Sequence, residues 1–227
     1  QGDWSSDVCS SDLVKQKAIE LERSILRQDP DILIFGEVRD ADSARAALAF
    51  AESGHLVIST IHANSVLQVS ERFLSMIDPA HRTDSEFLLA HFLRVVIHQR
   101  LVRRLCSCAK PVQGEMLEHF QSQAFRLTGG LIQPRAGLRH KVGCTRCAGL
   151  GYSGRVAAHE TMHVPAEETM RGRFVKAFKS HNLELPVDLC EENGVDYTSR
   201  LQTLQTLLDQ GLVDWSSVLQ ILGVAGD

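Results

Sequence analysis

"LRQDPDILIFGEVRDADSARAALAFAESGHLVISTIHANS", residues 26–65, holds two short apolar runs with a helical stretch between them. The residue before a proline is pushed out of the helical region, so Asp29-Pro30 breaks what precedes it. Ile32 to Phe35 then form an unbroken apolar run, the mark of a strand buried on both faces. Ala41 to Ser53 is rich in alanine and free of Gly and Pro, hence helical. Asp40 or Asp42 can cap its start, and Gly54 can end it. "HLVISTI" reads as a second buried strand. Strand, helix of about a dozen residues, strand is the shortest parallel crossover. Parallel strands end on one sheet edge, which places Glu37 and His62 side by side, where open α/β sheets bind ligands.

Working outward, Lys15 to Arg27 has broadly helical apolar spacing. Val66 to Ile77 and Ser85 to His98 read as amphipathic helices. Arg100 to Cys106 reads as a strand, Gly114 to Phe125 as a helix, and residues 128–143 as irregular. Gly154 to Glu160 reads as a strand, and Pro165 opens a further helix. Asn182 to Tyr197 is a loop or small subdomain, followed by two helices, Ser199–Gln210 and Asp214–Leu222. The opening "QGDWSSDVCSSDLV" has neither helical nor strand periodicity; its "SSDVCSSDL" tandem resembles translated sequencing-adapter sequence, and a disordered Ser/Asp linker is the alternative.

The chain has 227 residues, 44% hydrophobic and 23% charged, enough for a real core in one or two domains. A net charge of -4 argues against a dedicated nucleic-acid binder. Arg94, Arg100, Arg103, Arg104 and Lys110 form a basic stretch without interleaved aromatics, which favours a subunit contact over base stacking. No apolar run approaches the ~20 residues of a membrane span. Six cysteines are too few for a disulfide scaffold. The close pairs Cys106/Cys108 and Cys144/Cys147 point instead to metal in a reducing cytosol.

An apolar strand delivering an acid to the ligand edge is the second signature of P-loop ATPases. Alone, "ILIFGE" is as easily a buried strand with a solvated acid. The longer phrases "LRQDPDILIFGEVRD" and "GHLVISTIHAN" are more specific, and closely resemble the motor ATPases of type II secretion and type IV pilus assembly. Ala63 stands where that family often has Thr. The resemblance implies that Glu37 is the Walker B glutamate acting on water or Mg²⁺, that His62 senses the γ-phosphate of ATP, and that Thr60 lies behind it. Arg39 would pair with an acid or a phosphate. No G-x-x-x-x-G-K-[ST] phosphate loop occurs in the sequence. The family carries that loop upstream of the Walker B strand, so the chain is expected to be a fragment, inactive on ATP alone and prone to aggregate through an uncovered sheet edge.

Cys144-Thr-Arg-Cys147 has zinc-knuckle spacing, and a second pair raises this to a four-thiolate zinc site of Cys106, Cys108, Cys144 and Cys147. The resembling family often carries such an insert, flanked as here by "QRLVRRLC" and "GYSGRVAAHE". Its first pair is C-x-x-C, however, while this one is C-x-C. That spacing is expected to displace a ligand and weaken binding, with His140 and His119 as substitutes. "CTRCAGLG" also matches a repeat of the Hsp40-type chaperone zinc domain, but that domain needs four repeats and the chain has one.

The expected fold is therefore α/β, the C-terminal part of a RecA-like ATPase core with a cysteine element and a helical tail. The expected divisions are a leader at 1–12, the partial core at 13–105, the metal element and return strand at 106–160, and a helical subdomain at 161–227, whose tail packs on the core or on a neighbouring subunit. The resemblance implies a homo-oligomer, a hexameric ring, in the cytoplasm against inner-membrane platform proteins, powering pilus or pseudopilus assembly. The alternative is a zinc-stabilised binding module without catalysis.

Overall fold

Asp40 begins the first helix. Its carboxylate accepts the Ser43 N–H at 2.8 Å while the Ser43 hydroxyl faces back to the Asp40 N–H, a reciprocal cap. In a computed structural model of the chain, described over residues 30–135, 137–164 and 195–223, this helix, α1 (Ala41–Glu52), joins strands β1 (Ile32–Ile34) and β2 (Leu56–Ile58). Gly54, at φ +99°, turns the chain from α1 toward β2. The strands are parallel, with Leu33 opposite Val57, and the ladder runs on as Phe35 N–H to Ile58 O and Val38 N–H to Thr60 O, both 2.8 Å. Ala44, Ala47, Leu48 and Phe50 form the buried face of α1, and the Phe35 and Phe50 rings sit 5.6 Å apart.

Two features depart from the sequence reading. β1 and β2 are covered on one side only: Leu33 is buried, while Ile34 is 78% exposed and Ile32, Leu56 and Ile58 are each half or more exposed. A continuous apolar run demands cover on both faces, and among the described residues that cover is lacking. The helices that follow are also shorter than expected, α2 at Val69–Ser75 and α3 at Arg82–Phe92. Residues 95–98 are not helical but open a long strand, because Val95, Val96 and Ile97 are β-branched.

The chain divides into two compact units, residues 1–62 with 70–92, and residues 63–69 with 93–227. The second is built on an antiparallel ribbon of β3 (Val95–Leu105) and β6 (Tyr152–His163), with a register shift between Arg103 and Leu105. β7 (Asp196–Thr198) adds a third strand beside β6. Between β3 and β6 lie β4 (Lys110–Pro111), α4 (Glu115–Thr128), β5 (Arg139–His140) and a 3₁₀ turn at Thr145–Cys147. α5 (Arg200–Asp209) and α6 (Trp215–Ile221) follow β7, capped by Ser199 and Asp214.

The core of this unit unites all three parts. Val102 and Ala158 come from the ribbon, Val112, Ala124, Ile132 and Leu138 from the segment between its strands, and Leu204, Leu208, Trp215 and Val218 from the last helices. Each fully buried Leu or Val side chain contributes about 1.5–3 kcal/mol. The Trp215 indole N–H donates to Gln123 at 2.6 Å, so the tail packs on its own core. Arg103, one of the basic stretch, lies over the Tyr152 ring at 4.8 Å. The expected leader, the Lys15–Arg27 helix and the helix after Pro165 lie outside the described residues.

Candidate active-site edge and metal centre

Both strands of the crossover run the same way, so the residues after them emerge on one edge. There the Glu37 carboxylate meets two nitrogen groups. Oε1 is 3.1 Å from His62 Nε2, and Oε2 accepts from Arg39 Nε at 2.6 Å. Thr60 donates its hydroxyl to the Gly36 carbonyl at 2.6 Å and so ties the two post-strand segments together. The Glu37 side chain is only 19% exposed, whereas His62 is 91% and Arg39 76% exposed. A largely covered carboxylate with two exposed nitrogen partners can orient water or a cation's water shell, while the imidazole and guanidinium have open solvent in which to turn onto an anion. In high dielectric these contacts are weak, so they place the groups without locking them.

At the end of the ribbon where β3 leaves and β6 enters, four sulfurs converge. Cys106, Cys108, Cys144 and Cys147 keep all their Sγ atoms within 4.8 Å of one another. Cys144–Cys147 is 3.8 Å, Cys106–Cys144 is 3.9 Å and Cys108–Cys147 is 4.0 Å. A tetrahedron of bonds of about 2.3 Å to zinc has edges of about 3.8 Å, so the donor set and its spacing fit zinc. The expectation that C-x-C spacing displaces a ligand is overturned: Cys108 is in the cluster, and neither His140 nor His119 is. The reason is backbone geometry. The Cys106 N–H pairs with the Gly151 carbonyl at 2.9 Å, and a turn brings the Ala109 N–H onto the Cys106 carbonyl, which returns Cys108 to the same side.

Backbone donors tune these thiols. Burial pushes Cys147 up, but the N–H groups of Cys144 and Gly151, each 3.2 Å from its sulfur, and the neighbouring Cys144 and Cys108 thiols outweigh this and bring it down to about 6. Cys106 is lowered by the Cys108 N–H above all. For Cys108 the Gly143 N–H pulls down, yet burial and the three other sulfurs prevail and raise it to about 11. N–H groups aimed at cysteine sulfurs favour the thiolate form that a metal binds.

Sequence reasoning missed a third cluster. Glu160, 4% exposed on β6, accepts from Tyr197 at 2.6 Å, from Arg200 at 3.2 Å and from the Val66 N–H at 3.3 Å. The signal was available: alternation along Ala158, Glu160 and Met162 puts this acid on the inward face of its strand.

The fold matches solved ATPases. The ATPase DotB of Yersinia pseudotuberculosis superposes with a TM-score of 0.58 at 18% identity, covering 90% of this chain and 40% of that one. The pilus retraction motor PilT gives 0.56 at 22% identity, covering 92% of this chain and 43% of that one. The family model described as "Type II/IV secretion system protein" matches residues 10–197. "Type II secretion system protein E" of Pectobacterium carotovorum subsp. carotovorum is 39% identical over 201 residues, 88% of this chain and 36% of that protein. "Type IV pilus assembly ATPase PilB" of Myxococcus xanthus is 41% identical over 145 residues, 62% of this chain and 23% of that protein. The chain belongs to the type II/IV secretion system protein family. Against the type II secretion relatives it spans 36% of their length. Among the described residues no helix is long and apolar enough to cross a membrane.

Proposed function

We propose that this chain is the catalytic-edge part of a ring-forming, hexameric motor ATPase that powers pilus or pseudopilus assembly, working in the cytoplasm against inner-membrane platform proteins. The observation that carries the reading is the Glu37–His62 contact of 3.1 Å at the shared end of two parallel strands, in a chain of this family. ATP and Mg²⁺ supply the phosphoryl group and the cation. Glu37 holds and polarises the water, as the Walker B acid, and its burial keeps its direction fixed. His62 leaves Glu37 to donate to a terminal phosphate oxygen, and Arg39 releases its ion pair to add positive charge there. Thr60 keeps the two segments in register. Catalysis of this kind rests on positioning and charge stabilisation. The four cysteines hold zinc as a structural staple, outside the chemistry.

The gene upstream of Val14 tests this. A phosphate-binding G-x-x-x-x-G-K-[ST] within roughly 50–90 residues, the length of a few βα units, is expected; an unrelated domain there ends the reading. In the product of the whole gene, Glu37→Gln is expected to lower kcat for ATP by about 10²–10⁴-fold. Because Glu37 lies at an edge rather than in the core, the melting temperature is expected to stay within a few degrees of the parent. Parental turnover in a folded variant would remove Glu37 from the mechanism.

A further inference from the structure

The histidine box does not end at His62. The four residues after it, Ala63 to Val66, are gripped within the second unit by a polar network, centred on the buried Glu160, that nothing in the catalytic reading uses. Arg200, on α5, donates from Nη2 both to the Asn64 carbonyl at 3.1 Å and to Glu160 Oε2 at 3.2 Å. Glu160 Oε2 also takes the Val66 N–H at 3.3 Å, and Oε1 takes the Tyr197 hydroxyl at 2.6 Å. His98 lies directly across the ribbon from Glu160. Its Nδ1 lies 3.9 Å from Glu160 Oε2, buried and without a hydrogen-bond partner.

Removing water from a carboxylate is costly unless its lone pairs are filled, and Glu160 fills them with an arginine, a phenol and one main-chain N–H. Replacing a whole buried pair by apolar side chains is often neutral or stabilising, whereas removing one partner is costly, so a buried charge that reaches main chain points to specificity of position. Two of its links, direct through Val66 and bridged through Arg200 to Asn64, end on the backbone of one short turn. The box is thus pinned separately in each unit: Thr60 to Gly36 and Val38 in the first, Ala63 to Val66 in the second. His62 is the residue between the two sets of pins.

We propose that Glu160 is a positioning residue for the histidine box, fixing the turn at Ala63–Val66 through Val66 and Arg200 and thereby restricting the backbone from which His62 works. Its importance for turnover rests on the reading of His62 as the phosphate sensor; the positional claim does not, and is tested without nucleotide.

The test uses the full chain with labelled histidines, at fixed pH. In Glu160→Ala, hydrogen exchange at the Val66 amide is expected to speed up by about tenfold or more, and the ring ¹⁵N resonances of His62 are expected to shift. Glu160→Gln keeps the side-chain length and one accepting oxygen, and is expected to fall between parent and Glu160→Ala. It also serves as the test if the alanine variant fails to fold. Ile132→Ala empties part of the same unit's core, away from the turn, and is expected to lower the melting temperature while leaving the His62 ring unmoved. A His62 ring indifferent to both Glu160 variants, or moved equally by Ile132→Ala, would overturn the proposal. Failure of the ATPase reading would leave these signals unchanged.

Discussion

The Asp40 carboxylate accepts from both the main chain and the hydroxyl of Ser43. The Ser43 N–H chiefly, then the Ser43 hydroxyl, holds its carboxyl below the ordinary value of 3.8. A depressed acid contributes stability that is whole above its unfolded value and is lost as pH falls through the lower folded one. Asp40→Ala is therefore expected to cost about 1 kcal/mol at neutral pH, the usual size of a lost helix cap. The gap in denaturant midpoint between parent and variant should narrow as pH falls below the ordinary 3.8. A gap that stays constant through the acid range would show that the charge plays no part. At this scale the sequence was partly legible. Asp40, Glu37 and His62 could be placed because a cap and two strand ends have local signatures. Arg200 and Tyr197 could not, since their partner Glu160 lies some 40 positions away in sequence and only the folded ribbon brings them together.

Among the elements, the cysteine segment shows where spacing rules stop. They assume that each pair of ligands comes from one tight turn. Here Cys106 and Cys108 leave the end of a strand, and the opposite strand's Gly151 holds that exit. The knuckle on the other side depends on glycine. A Cβ at Gly143 would lie 2.6 Å from the Gly149 carbonyl oxygen, at φ +113°. Gly143→Ala is expected to cost more than about 1 kcal/mol and to lower zinc per purified chain well below the single equivalent expected of the parent. Metal analysis beside thermal melting checks this; full zinc loading in the variant would mean that the sulfurs tolerate the shift. The long β3 strand was half-read as helix because its opening residues, Val95 to Ile97, continue an apolar stretch that suits either structure.

For the whole molecule, the α/β class and the parallel crossover were legible, since run length, Ala-rich helix and caps all agree. Burial was not, because it depends on what lies against a strand and not on the strand itself. Ile32, Ile34, Leu56 and Ile58 are all at least half exposed, on a sheet that has two strands among the described residues. Exposed apolar strands with unpaired edges recruit other chains. The chain is accordingly expected to self-associate when expressed alone, and Ile34→Lys to increase the monomer fraction in sedimentation without lowering the melting temperature. A parent that melts sharply as a monomer would show that this face is not sticky.

The segment carrying the thiols also lends Val112, Ala124, Ile132 and Leu138 to the core that seats α5 and α6. Damage by an oxidant at the sulfur end is thus not confined there. It would loosen the carboxyl-terminal helices as well, so that protease nicking near Gly211 could report the redox history of cysteines far back along the chain.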